Sequence, residues 1–142
     1  MDESSTTPER RRFRFEGLTH DSTTNGRCSV GVSLEWCGRV HTGSSEGLET
    51  LQGKIRSAAE ATLEAVSEAA GHSMKLEVIG VKAVRAFDGW VVITSLHAEA
   101  SGRSYRLLGS ASCEADEELL RAAVISVLDA GNRVLERYVK TE

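Results

Sequence analysis

From Arg27 to Trp36 apolar residues occupy every second position, Cys28, Val30, Val32, Leu34 and Trp36, with polar or small residues between them. That alternation predicts a strand with one face on a core and the other toward water. Residues 12–19 form a shorter stretch of the same kind, and Cys37-Gly38 offers a two-residue turn into a polar strand over 39–45. The period then changes. Leu51, Ile55, Ala58, Ala59, Thr62, Leu63 and Val66 recur at helical spacing within Leu48 to Ala70, with acidic residues near the start and Gly71 as a stop.

The second half repeats the order. Lys75 to Phe87, Trp90 to Ala100 and Arg103 to Cys113 read as strands, joined by turns at Asp88-Gly89 and Ser101-Gly102. Asp116 to Val139 reads as a helix with Leu120, Val124, Val127, Leu128, Gly131, Leu135 and Tyr138 inward. Asp116, Glu117 and Glu118 stand in its first turn, the favourable sign for a helix N-terminus. An offset of 64 residues carries Gly38-Arg39 onto Gly102-Arg103, Ala58-Ala59 onto Ala122-Ala123, Val32 onto Leu96 and Leu63 onto Val127. The expectation is an α+β fold of two tandem βββα units, residues 12–71 and 75–139, making a mostly antiparallel sheet with two helices on one face. These units form a single domain over 12–142, after a disordered tail over 1–11 that runs into Arg10, Arg11 and Arg12.

Two-residue turns fix strand register. Around Ser101-Gly102, Ala98 faces Tyr105, His97 faces Arg106, Leu96 faces Leu107 and Ser95 faces Leu108. Around Asp88-Gly89, Ala86 faces Val91, Val84 faces Ile93, Lys82 faces Ser95 and Val81 faces Leu96. Ile79, Val81, Ala83, Val92, Leu96, Ala98, Tyr105 and Leu107 then lie under the helices. The opposite face collects Val84, Ala86, Val91, Ile93 and Leu108 at one end and Lys82, Ser95, His97 and Arg106 at the other. An apolar patch on the helix-free side calls for a partner, and a second copy related by a two-fold axis is the commonest one. The polar end is a candidate small-molecule site for a carboxylate or an amino acid.

Composition narrows the classes. A chain of 142 residues with 40% hydrophobic and 27% charged residues is a globular domain, large enough to hold its own core. A net charge of −4 gives no general attraction to nucleic acid or to an anionic membrane. No apolar run is long enough to span a bilayer, and the polar N-terminus does not read as a signal peptide. Cys28, Cys37 and Cys113, odd in number and irregular in spacing, suit a reducing cytoplasm better than a disulfide framework.

Catalytic patterns are missing. Gly43 to Gly47 lacks the lysine of a phosphate loop, and there is no Cys-x-x-Cys or His-x-x-x-His pair. Cys28 and Cys37 fall on opposite faces of a strand, His41 lies on a polar strand, and His20 and His72 fall in loops. The residues therefore imply no enzyme, no catalytic group, no metal ligand and no cofactor.

Arg103-Ser104-Tyr105, Gly109-Ser110-Ala111-Ser112, Arg121-Ala122-Ala123 and the run Asp129 to Leu135 carry a resemblance. In them the chain resembles the C-terminal regulatory domain of 2-isopropylmalate synthases, likewise two βββα units in tandem. The resemblance implies a domain that pairs with a second copy and holds leucine at that interface. Cys113-Glu114-Ala115-Asp116 stands where the family has its acidic residue, so no leucine-binding residue is carried over. The function expected is a non-catalytic regulatory, ligand-sensing or assembly module acting as a homodimer.

Two alternatives compete. The order helix, three strands, helix from Leu48 onward is that of double-stranded-RNA-binding domains, but Glu114, Asp116, Glu117 and Glu118 stand where such domains grip phosphates with basic residues. A small enzyme with a site across a dimer is the other, resting on His97 and Arg106.

Overall fold

In the computed structural model, residues 12–135 are described. The expected tail, and the last positions of the second helix including Tyr138, lie outside them. The first unit comprises β1 (Arg14–Ser22), β2 (Arg27–Trp36), β3 (Arg39–Leu48) and α1 (Leu51–Ala69). The second comprises β4 (Lys75–Ala86), β5 (Gly89–Ala100), β6 (Arg103–Cys113) and, after a 3-10 turn over Asp116–Glu118, α2 (Leu119–Leu135). Each unit makes its own antiparallel three-stranded sheet, β1-β2-β3 and β4-β5-β6. The architecture is thus two βββα units of the α+β class, with the expected sheet divided in two. No helix among the described residues is long and apolar enough to cross a membrane.

Local sequence sets the element ends. Thr50 caps α1, its hydroxyl accepting the N–H of Gly53 at 3.0 Å. The first turn holds no acidic residue, contrary to expectation, because the helix begins after Glu49. Its far end is a Schellman motif: Gly71 N–H reaches the Glu68 carbonyl at 3.1 Å and His72 N–H the Ser67 carbonyl at 2.9 Å. Gly71 has φ +66°, the conformation in which glycine lacks the usual side-chain penalty.

Each helix lies on one face of its sheet. Under them Val30, Val32, Leu34, Val92, Leu96, Ala98 and the facing helix residues are buried. Glycine sets the closeness of that contact. A Cβ on Gly43 would meet the Ala61 carbonyl oxygen and lie 2.6 Å from the Ala65 nitrogen; on Gly109 it would meet the Ser126 carbonyl oxygen and lie 2.8 Å from the Ala130 Cα. Small residues on the helices complete the fit, and in the second unit the Thr94 and Ser126 hydroxyls pair across the buried contact at 2.6 Å.

The duplication is more regular than one offset conveys. The turns align at 64 residues, but the helix-contacting glycines align at 66 (Gly43 to Gly109) and the helices at 65 (Ala61 to Ser126). At 65 the residues 57–66 and 122–131 have the same burial, position for position. Both first strands carry a bulge before a glycine, at Phe15/Gly17 and at Val78/Gly80. An arginine attends each bulge. The Arg56 guanidinium donates to the Val78 carbonyl at 3.0 Å, and that of Arg121, 65 residues later, lies 5.3 Å over the Phe15 ring.

The second bulge changes the expected faces. Ile79 is its extra residue and is 45% exposed, while Val78 takes the inward position. The β4–β5 register is also displaced. Its turn residues are Phe87 and Asp88, both at positive φ, so Val84 faces Val91, Lys82 faces Ile93, Gly80 faces Ser95 and Val78 faces Leu96. Gly89 is needed in the strand instead, because a Cβ there would lie 2.6 Å from the Cys113 carbonyl oxygen. The registers around Cys37-Gly38 and Ser101-Gly102 follow the expectation.

Candidate functional site

The outer face of the second sheet is built from rows across three strands. Val84, Val91 and Ser112 form one, Lys82, Ile93 and Ser110 the next, then Gly80, Ser95 and Leu108, then Glu77, His97 and Arg106. Its apolar members are open: Val84 is 38% exposed, Ile93 43% and Leu108 68%, and Val91 and Ala86 are half-buried beside them. Ile79, thrown outward by the bulge, adjoins this group. No helix among the described residues covers it, since α2 lies on the side where Val92, Thr94 and Leu96 are buried.

Phe87 extends the patch and is not evident from the sequence as a surface group. It is fully exposed at the tip of the β4–β5 turn with φ 53°. A bulky side chain at positive φ is an outlier, and such strain concentrates at functional sites. Beside it opens a cleft of about 550 Å³ whose walls include Trp90, Val91, Cys113, Arg121 and Ile125. Trp90 is fixed there by Asp116, which accepts its indole N–H at 2.7 Å, and by the Arg85 guanidinium 4.9 Å over its ring.

The first sheet gives an internal comparison. Its outer face presents Thr19, Asp21, Ser29, Ser33, Thr42, Ser44 and Glu46, with exposed Val40 and Leu48 apart at opposite ends of β3. Sheets of the same build thus differ in what they show to solvent.

Of the four expected ligand-binding residues, His97 and Arg106 are direct cross-strand neighbours, and Ser95 follows His97 on the same face. Lys82 does not join them: it faces Ile93, and the position opposite His97 on β4 is held by Glu77. A carboxylate in that row offsets the positive charge a carboxylate ligand would need.

Two other histidines have carboxylate partners that their sequence positions conceal. His41 Nδ1 lies 3.2 Å from Glu68 Oε1. His20, expected in a loop, is on β1, with Nε2 3.1 Å from Glu49 Oε1 and 3.0 Å from Oε2. The imidazole beside Glu49 holds that carboxyl below the usual carboxylate range. Cys28 is wholly buried and donates weakly to the Leu48 carbonyl at 3.5 Å; burial, and then the nearby Glu49 charge, push its thiol up. Cys113 is raised by burial and by the charges of Glu118 and Asp116. No protein-family model matches the chain, and neither does any curated protein sequence.

Proposed function

We propose that this chain is a non-catalytic assembly module that pairs with a second copy of itself through the outer face of β4, β5 and β6. One observation carries the reading. Of two sheets with the same construction, one has a polar outer face and the other an open apolar one, formed by Ile79, Val84, Ile93 and Leu108. Contiguous apolar surface of this kind is uncommon on a monomer and marks an association site.

Charge favours a second copy as the occupant. The patch is bordered by Lys82 and Arg106 and also by Glu77, so both signs are present on one rim. A two-fold axis lying between the two signs presents each to its opposite without net repulsion. Phe87 stands beside the patch, and an apolar side chain held in that conformation on the surface is suited to insertion into a partner. The resemblance to synthase regulatory domains points the same way. It also supplies a ligand class, a branched-chain amino acid held between copies.

The test is Ile93→Asp, read by sedimentation velocity and circular dichroism. The expected result is a folded monomer where the parent protein is a dimer. A variant that sediments like the parent overturns the assignment of this face. Addition of leucine in a thermal melt tests the ligand class, with a rise in Tm expected of the sensing form of the module.

A further inference from the structure

His20, Cys28 and Glu49 meet where the β1–β2 hairpin closes over the entry to α1. The Glu49 N–H donates to the Gly26 carbonyl at 2.9 Å, which ties the residue before the helix cap to the hairpin loop. His20 Nε2, Cys28 Sγ and a Glu49 carboxylate oxygen all lie within 4.8 Å of one another. Bond lengths to zinc of about 2.0–2.3 Å place tetrahedral ligand atoms roughly 3.3–3.6 Å apart, so small side-chain movements close the trio on an ion. The side chains of His20 and Glu49 are 30% and 28% exposed, whereas Cys28 is buried. An ion would enter past the imidazole and carboxylate, take the thiolate at the back, and keep one position open to water.

The duplicated half shows that the architecture does not require these groups. Aligned on the bulge and on the helix-contacting glycines, β1 is offset by 63 residues, β2 by 62 and β3 by 66, so His20 corresponds to Ala83, Cys28 to Trp90 and Glu49 to Ala115. Packing serves there. Among the described residues, only the first unit sets an imidazole, a thiol and a carboxylate together.

The geometry points to a cation site at His20, Cys28 and Glu49 that takes one zinc ion or a divalent ion of similar softness. Sulfur and nitrogen donors exclude the hard, oxygen-seeking magnesium and calcium, and one thiolate with one imidazole and one carboxylate suits zinc. The thiol releases its proton to solvent as the sulfur–metal bond forms. Metal binding there does not depend on self-association, and it is read as a spectrum, not a mass.

The experiment is titration of the reduced, metal-free full chain with Co²⁺, followed by displacement with Zn²⁺. One equivalent of Co²⁺ should give a thiolate-to-cobalt charge-transfer band, bleached by one equivalent of Zn²⁺. Cys28→Ser should abolish the band, and Glu49→Gln and His20→Ala should each weaken binding by more than about tenfold. Because Cys28 is buried, the two surface variants keep the test decisive if Cys28→Ser does not fold. Absence of a band at stoichiometric Co²⁺, equal affinity in Glu49→Gln and His20→Ala, or a band lost instead on substitution of Cys37 or Cys113 overturns the site.

Discussion

Glu64 accepts the backbone N–H of Ser44 at 3.0 Å, tying the exposed flank of α1 to β3, an edge strand. The same device recurs in the second unit, where Asp129 accepts the N–H of Ser110 at 3.0 Å. In each case the serine follows the glycine that lets the helix approach. On α1 the motif is extended. Glu60 accepts from the Ser45 hydroxyl at 3.0 Å and Glu68 from the Thr42 N–H at 3.3 Å, so carboxylates spaced one helical turn apart brace the strand. The other side of α1 donates, Gln52 to the Val81 carbonyl at 2.8 Å and Arg56 to that of Val78 at 3.0 Å. One helix therefore satisfies N–H groups of β3 and carbonyls of β4, two edges that would otherwise be free to pair with another chain.

Replacing Glu64 by Gln, or Asp129 by Asn, should cost about 0.5–1 kcal/mol, because a charge-assisted bond at a solvent-exposed site is lost. Amide hydrogen exchange should accelerate at Ser44 in the first variant and at Ser110 in the second. The double variant should show additive costs, since the two contacts share no partner.

Gly43→Val and Gly109→Val should each destabilise by about 1–3 kcal/mol or more, measured by urea denaturation, because the added atoms meet helix backbone that cannot yield like a side chain. Gly17→Ala provides the control. A Cβ there meets nothing within 4 Å, so stability should hold or rise slightly.

Phe87→Asn should stabilise the isolated fold by roughly 1 kcal/mol or less, since asparagine tolerates positive φ and Phe87 is fully exposed. The same substitution should weaken self-association. A loss of monomer stability would mean that the phenyl ring supports its own chain.

The three thiols should separate under limited alkylation. Cys37 is exposed in a turn and should react first, Cys113 is half-buried beside Asp116 and Glu118, and buried Cys28 should react last. Mass mapping of the modified sites gives the order, and rapid modification of Cys28 would contradict its burial.

Much of the architecture was legible because period and turn chemistry agree. Alternation over Arg27–Trp36 coincides with β2, and Ser101-Gly102 fixes the β5–β6 ladder residue by residue. The β4–β5 hairpin departs from its sequence pattern because Asp88-Gly89 has the preferred turn composition, while the missing Cβ of Gly89 is used against the Cys113 carbonyl. The bulge at Ile79 then inverted one position of the core face, and no periodicity announces a bulge. The apolar members of the outer face stay the same, since a shift of two residues preserves the side on which a side chain emerges. The cluster of His20, Cys28 and Glu49 was out of reach: its members come from two strands and the link between β3 and α1, and meet only when the hairpin closes on the helix entry.

A second copy on the outer face of the second sheet doubles the mass of the particle in solution. Light scattering coupled to size exclusion, over a range of micromolar concentrations, measures this directly. The expected molar mass is twice the 15.3 kDa of one chain, falling to a single chain's mass on Ile93→Asp. A parent protein that keeps the mass of one chain throughout that range would contradict it.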